Sequence, residues 1–161
     1  MDSVSSPPTR RRNTPLLLVV GFFIVVGSFL VISFLMSKPA ITDSSPTNPQ
    51  AVARGRGLYA ANCASCHGAN LEGAPNWQTP LADGTMLAPP HDATGHTWHH
   101  NDESLFTTVK LGGQATSPPG YVNRMPAFGG VLADEEINAI LAYIKSTWPA
   151  ELQEAQQRGH E

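Results

Sequence analysis

Cys63-Ala64-Ser65-Cys66-His67 is the stretch on which the reading of this chain turns. Two thiols stand three positions apart and an imidazole follows at once. C-x-x-C-H is the attachment signature of c-type haem: both thiols can bond to the vinyl groups, and the histidine can reach the iron as proximal ligand. These are the only two cysteines in a chain of 161 residues, so if both hold haem, no disulfide and no free thiol remain. The competing reading is two buried cysteines beside an unrelated histidine. The rest of the chain decides between them.

Upstream, residues 16–36 read LLLVVGFFIVVGSFLVISFLM, without a charge. At about 1.5 Å per residue, such a helix spans the roughly 30 Å hydrocarbon core of a bilayer. Arg10, Arg11 and Arg12 precede it and only Lys38 follows closely. The positive-inside rule then keeps the N-terminus cytoplasmic and sends the remainder across the membrane. A cleaved signal peptide is the alternative, but it has an apolar region of about 7–15 residues and an A-x-A-like site. SKPAITD offers no such site. The expected organisation is a disordered cytoplasmic tail at 1–14, a transmembrane signal anchor at 15–36 and a Ser/Pro-rich linker at 37–48. A flexible linker of that length has a reach near 20 Å, which keeps the domain beyond it close to the membrane surface.

The soluble part carries three helical signals. Asn48-Pro49 is a good N-cap with proline at the first helical position, and it opens a helix running into Cys63. Asp102–Leu111 starts acidic, ends on Lys110 and is closed by Gly112. Asp134–Trp148 sets Ile137, Ile140, Leu141 and Ile144 on one stripe before Pro149. Ala133 is a poor N-cap for it, partly offset by Asp134, Glu135 and Glu136. No strand pattern and no internal repeat is visible, and residues 149–161 read as a short polar helical tail. The loops between are rich in Gly and Pro, and so small a core looks underfilled. A haem at its centre supplies the missing apolar mass.

Residues 51–148 resemble a class I (monohaem) cytochrome c domain, here on a membrane anchor. Gly55 and Tyr59 stand eight and four residues before Cys63, as in that family's first helix, and Ile140 and Tyr143 in LAYIKSTW resemble packing positions of its last helix. The resemblance implies an all-α fold, a cytochrome c domain over residues 49–148 with one covalent haem c, and a close crossing of first and last helices permitted by the glycine. It implies that Cys63, Cys66, His67 and Met125 bind the haem. Met125 lies in Asn123-Arg124-Met125-Pro126-Ala127-Phe128-Gly129, similar to the family's M-P-x-F segment, whose methionine is the sixth iron ligand. Met86 is the other methionine of the soluble part. In the family a proline carbonyl accepts from the second ring nitrogen of the proximal histidine. Gly73-Ala74-Pro75 and Ala88-Pro89-Pro90 both qualify, and the shorter distance from the haem motif favours Pro75. Tyr59 and Tyr143 are candidates for the haem edge, and Trp77 and Trp98 for an indole hydrogen bond to a propionate.

Residues 91–100 depart from a minimal member of that family. His91, His96, His99 and His100 put four imidazoles in ten positions. Imidazole with carboxylate suits zinc or copper. No established helical i, i+4 pair and no spare cysteine supports a metal site, and a haem-edge loop is the favoured reading.

From residue 37 onward, twelve Asp and Glu face seven Lys and Arg. That balance provides no lysine ring for docking to an acidic partner face, and nothing points to nucleic acid. The expected function is one-electron transfer rather than enzymatic catalysis. The expected place is the periplasmic side of a bacterial inner membrane. The resemblance implies a quinol-oxidising cytochrome complex or a dehydrogenase as donor, and a terminal oxidase or reductase as acceptor. A fixed cytochrome subunit of a larger oxidoreductase, and a haem or copper sensor, are the alternatives.

Overall fold

The computed structural model describes residues 23, 26–28 and 44–158. The chain divides into two units, Met1–Pro39 and Ala40–Glu161. In the first, residues 23 and 26–28 have helical backbone. The expected tail at 1–14, the rest of the expected anchor at 15–36 and the linker as far as residue 43 lie outside the described residues. Among the described residues, no helix is long and apolar enough to cross a membrane.

The second unit is mostly helical: α1 Pro49–Asn62, α2 Ala64–His67, α3 Asp102–Leu111, α4 Gly113–Thr116, α5 Asp134–Ser146 and α6 Ala150–Arg158. Local chemistry explains where the long helices start. The Asn48 side chain accepts from the N–H groups of Gln50 and Ala51, both at 3.1 Å, and Pro49 has no N–H to satisfy. Asn101 caps α3 by accepting from Ser104 N at 2.8 Å. Ala133 has no capping atom, so Glu136 reaches back and accepts from the Ala133 N–H at 3.1 Å. That is one half of a capping box. Helix α5 stops at Ser146, two residues short of the expected Trp148.

One expectation is corrected. A two-residue parallel ladder pairs β1, Thr85–Met86, with β2, Val122–Asn123. Elements this short show no periodicity, and only the tertiary approach of two distant loops creates them.

The core lies where α1 crosses α5. Ile137, Ile140, Leu141 and Ile144 from α5 meet Tyr59 of α1, together with Leu71, Leu132 and Trp148. Burying side chains of this size contributes about 1.5–3 kcal/mol each. At the crossing itself the residues are small: Ala51 on α1, and Ala139 and Ala142 on α5. Gly55 sets the separation. A Cβ placed there stands 1.8 Å from the Ala139 carbonyl oxygen, which is backbone and has no rotamer to escape into. Helix α3 leans on α5 with Leu105, Phe106 and Val109. None of its residues is fully buried, which leaves an apolar wall incompletely covered by protein.

A polar cluster ties the ends of the domain together. Lys145 on α5 is 7 % exposed and donates to both Asp102 carboxylate oxygens, at 2.9 and 2.7 Å, and to Ser44 at 2.9 Å. Gln156 on α6 donates to the same carboxylate at 2.7 Å. Burial acts to raise the Asp102 carboxyl, but the hydrogen bonds from Lys145, Ser44 and Gln156 outweigh it and hold the group below the usual carboxylate range.

This packing sets two expected outcomes. Gly55→Ala forces α1 from α5 and lowers stability by about 1–3 kcal/mol. Chemical denaturation should show a lower midpoint with an unchanged slope. Asp102→Asn leaves the Lys145 ammonium buried beside a neutral amide. Half of the Asp102 side chain is exposed to screening water, so the loss at neutral pH is about 1–2 kcal/mol. Because the folded-state pKa is depressed, the carboxylate's contribution is complete above the unfolded value of about 3.9 and vanishes as pH falls through the lower folded value. Melting curves of the two proteins should therefore differ at neutral pH and converge in acid.

Candidate haem site

Helix α1 carries the chain directly into the motif. Its last turn is followed by Cys63, and the single turn of α2 presents Cys66 and His67. Both thiols are free, with Cys63 half-buried and Cys66 exposed. Burial, then the neighbouring Cys66, pushes the Cys63 thiol up to about 11. It is therefore protonated at neutral pH. A redox or nucleophilic C-x-x-C pair needs the opposite, a depressed thiol.

His67 is 7 % exposed. Its Nδ1 lies 2.9 Å from the Pro89 carbonyl oxygen. A carbonyl only accepts, so Nδ1 carries the proton and Nε2 keeps its lone pair. Burial pushes the pKa of the ring down, opposed by the Pro89 hydrogen bond. The donor set is thus two thiols outside any disulfide beside a neutral imidazole in the metal-competent tautomer. These residues fit a covalently held haem.

The acceptor is Pro89 and not Pro75, which corrects the expectation. Gly73, at φ +71°, turns the chain back so that residues 88–91 lie along 71–74. Ala74 N donates to Ala88 O at 2.9 Å, and His91 N to Leu71 O at 2.8 Å. A Cβ at Gly73 stands 2.5 Å from Pro90 N, so only glycine admits this approach. Pro75 lies beyond the turn and is exposed. Buried Leu71 itself has φ +69°, a left-handed conformation that non-glycine residues rarely adopt. Its carbonyl accepts from the N–H groups of both His91 and Asp92.

Met125 is half-buried in the segment that follows β2. Its N–H donates to the Asn123 side chain at 3.0 Å, and its carbonyl accepts from Gly113 N at 3.1 Å. Phe128 N then donates to Val109 O and Gly129 N to Lys110 O, both at 3.0 Å. The methionine segment is in this way fastened to the C-terminal end of α3. Met86 is half-buried in β1.

The aromatic candidates divide. Tyr59 is 1 % exposed and donates from its hydroxyl to Gly68 O at 2.9 Å, stapling α1 to the loop after His67. Tyr143 packs on it with ring centroids 5.5 Å apart. Trp77 stacks on His96 at 5.6 Å, and His96 meets His100 edge-on at 5.5 Å. The Trp98 indole N–H donates to Gly95 O at 3.1 Å. The ring of Trp98 stacks on His99 at 3.6 Å.

Of the four loop histidines, three make these lateral contacts and one joins the site. The His91 ring lies face to face with His67, centroids 4.0 Å apart and planes 22° from parallel. Burial, then the charges of His67 and His96, pushes its imidazole well below the usual value. Among the described residues no three His, Cys, Asp or Glu side chains converge as a metal-holding group. Sequence reasoning missed the roles of His91, of Thr97, whose Oγ1 is 2.9 Å from His91 Nδ1, and of Trp148, whose indole N–H donates to His91 O at 2.8 Å. The place of His91 directly after the proline pair was the available signal.

Comparison with known proteins agrees with this geometry. Residues 52–148 match the family model "Cytochrome c". A cytochrome c6 of a Picosynechococcus species is 32 % identical over 117 residues, covering 71 % of this chain and 89 % of the relative. A cbb3-type cytochrome c oxidase subunit CcoP of an Azospirillum species is 32 % identical over 103 residues, 60 % of this chain. The chain spans only 30 % of that relative's length. No solved structure matches. With Cys63 and Cys66 at the C-x-x-C-H spacing, the chain belongs to the cytochrome c family, and its cofactor is a covalently bound haem c.

Proposed function

We propose that this protein is a membrane-tethered one-electron carrier with its haem domain on the periplasmic side of a bacterial inner membrane. The observation that carries the reading is the buried His67 imidazole, whose Nδ1 proton is directed to the Pro89 carbonyl so that Nε2 keeps its lone pair in the neutral ring. Haem supplies reversible one-electron cycling of its iron. Every other requirement falls to the chain. Cys63 and Cys66 anchor the ring covalently, which makes loss of the cofactor a chemical rather than a thermal event. His67 and Met125 would hold the iron, and a thioether ligand would raise its reduction potential relative to two histidines. With His67 and Met125 both committed to the iron, no coordination position would remain for substrate, and the activity inferred is electron transfer rather than enzymatic turnover.

The tether is the uncharged run at 16–36 behind Arg10–Arg12, oriented by its basic flank. The remaining domains are then the tail at 1–14, the linker at 37–48, the haem domain at 49–148 and the polar helix after it. The short linker confines the haem domain near the membrane, where a quinol-oxidising cytochrome complex or a dehydrogenase supplies electrons. A terminal oxidase accepts them, a choice favoured by the relatives named as cbb3-type oxidase subunits. Those same names support a second reading, a fixed subunit of such an oxidase. Coverage of 89 % of a cytochrome c6 favours the carrier.

Met125→Ala should abolish the far-red methionine–iron charge-transfer band of the oxidised protein, lower the reduction potential and leave the haem attached. A retained band removes Met125 from the ligand set. Purification of the tagged full-length protein from mild-detergent membranes separates the two functional readings. Recovery of the cytochrome without partners in fixed ratio is expected for a carrier, and stoichiometric oxidase subunits identify a dedicated subunit instead.

A further inference from the structure

His91 is held on several sides, through its backbone and through its ring. Its N–H donates to Leu71 O at 2.8 Å, and its carbonyl accepts from the Trp148 indole at 2.8 Å. Its Nδ1 shares a 2.9 Å hydrogen bond with Thr97 Oγ1, and Thr97 Oγ1 in turn reaches Pro90 O at 3.4 Å. Tyr59 meets its ring edge-on, 6.4 Å between centroids at 75°. Leu71 and Trp148 thus fix the His91 backbone, Thr97 and Tyr59 meet its ring, and the face of that ring lies 4.0 Å from the face of His67.

The bond from His67 Nδ1 to Pro89 O fixes the direction in which that ring points. Hydrogen bonds to a carbonyl tolerate a broad spread of out-of-plane approach, so one such bond leaves the ring free to rock about its Cβ–Cγ axis. A second flat ring stacked on it removes that freedom. The rotational angle of an axial imidazole governs its overlap with the iron d orbitals and hence how unpaired spin is distributed around the macrocycle. Groups outside the ligand set that orient a ligand are among the protein's means of tuning a metal centre.

We propose that His91 is a positioning residue for the haem ligand His67, a stacked imidazole platform, its ring held by Thr97 and its backbone by Trp148, that sets the plane of the proximal ring. The proposal rests on His67 being the proximal ligand.

The test is proton NMR and EPR of the oxidised holoprotein. In His91→Leu, which keeps apolar bulk but not the anchored plane, the hyperfine-shifted haem-methyl resonances should change their order and spread, and the low-spin EPR g-values should move. The methionine–iron band should persist. Thr97→Val, which deletes the Oγ1 contact, should move the pattern in the same direction, and Thr97→Ser, which restores the hydroxyl, should return it toward wild type. An unchanged methyl pattern in His91→Leu with haem bound overturns the proposal. If that variant fails to hold haem, the threonine pair decides: indistinguishable Val and Ser patterns overturn it, and a Val shift reversed by Ser supports it. His67→Ala separates the premise from the proposal. Loss of the low-spin haem signal confirms the proximal ligand, and a retained signal overturns the premise and the proposal together.

Discussion

The hydrogen bond between His67 and the Pro89 carbonyl is the contact to which the rest of the domain is accommodated. It requires two loops separated by more than twenty residues of sequence to lie side by side. That approach is possible only because Gly73 has no Cβ and a positive φ. It also requires Leu71 to adopt a left-handed backbone in a buried position, a strain offset by two N–H donors on its carbonyl and by its place in the core. Proline at the acceptor position supplies a carbonyl without competing as a donor. The tautomer of His67, and so its capacity to bind a metal through Nε2, is a consequence of this backbone geometry.

The helices serve as the frame for that loop pairing. The α1–α5 crossing, closed to backbone contact at Gly55 and Ala139, fixes Tyr59 in the core. Tyr59 then reaches from α1 to the carbonyl of Gly68, immediately after His67. The methionine segment is anchored to α3 by backbone hydrogen bonds from Phe128 and Gly129 to Val109 and Lys110, and to α4 by one from Gly113 to Met125. Local geometry is thus delegated to tight turns and carbonyls, and long-range rigidity to one helix pair. The exposed ion pairs, such as Arg54–Glu136 and Lys110–Asp134, sit at the margins of this frame and contribute little beside it. The buried Lys145 with Asp102 differs, because it joins residue 44, α3, α5 and α6 in one cluster.

Relatives of two kinds meet in this chain. The name cytochrome c6 attaches to a relative it covers to 89 %, and oxidase-subunit names to those of which it matches under a third. A haem domain of this size works as a module in either setting.

The haem motif, the cap at Asn48, the acidic start of α3 at Asp102 and the apolar stripe of α5 were legible in the amino-acid order because each depends on contacts a few residues apart. Covalent attachment needs only the spacing of Cys63, Cys66 and His67, and a cap needs only the side chain before the helix. The stripe needs only a period. What stayed hidden depends on which distant segments meet. Pro75 and Pro89 both satisfied the pattern, and only the turn at Gly73 and the pairing of residues 71–74 with 88–91 selected the second. The four histidines formed one cluster along the chain, yet the fold turned three toward aromatic neighbours and set one against the proximal ring. The two-residue ladder between residues 85–86 and 122–123 arose the same way. Composition and spacing thus determined the cofactor and the helices, and tertiary structure decided which carbonyl, which ring and which loop surround the ligand, because those choices are made by backbone approach rather than by residue type.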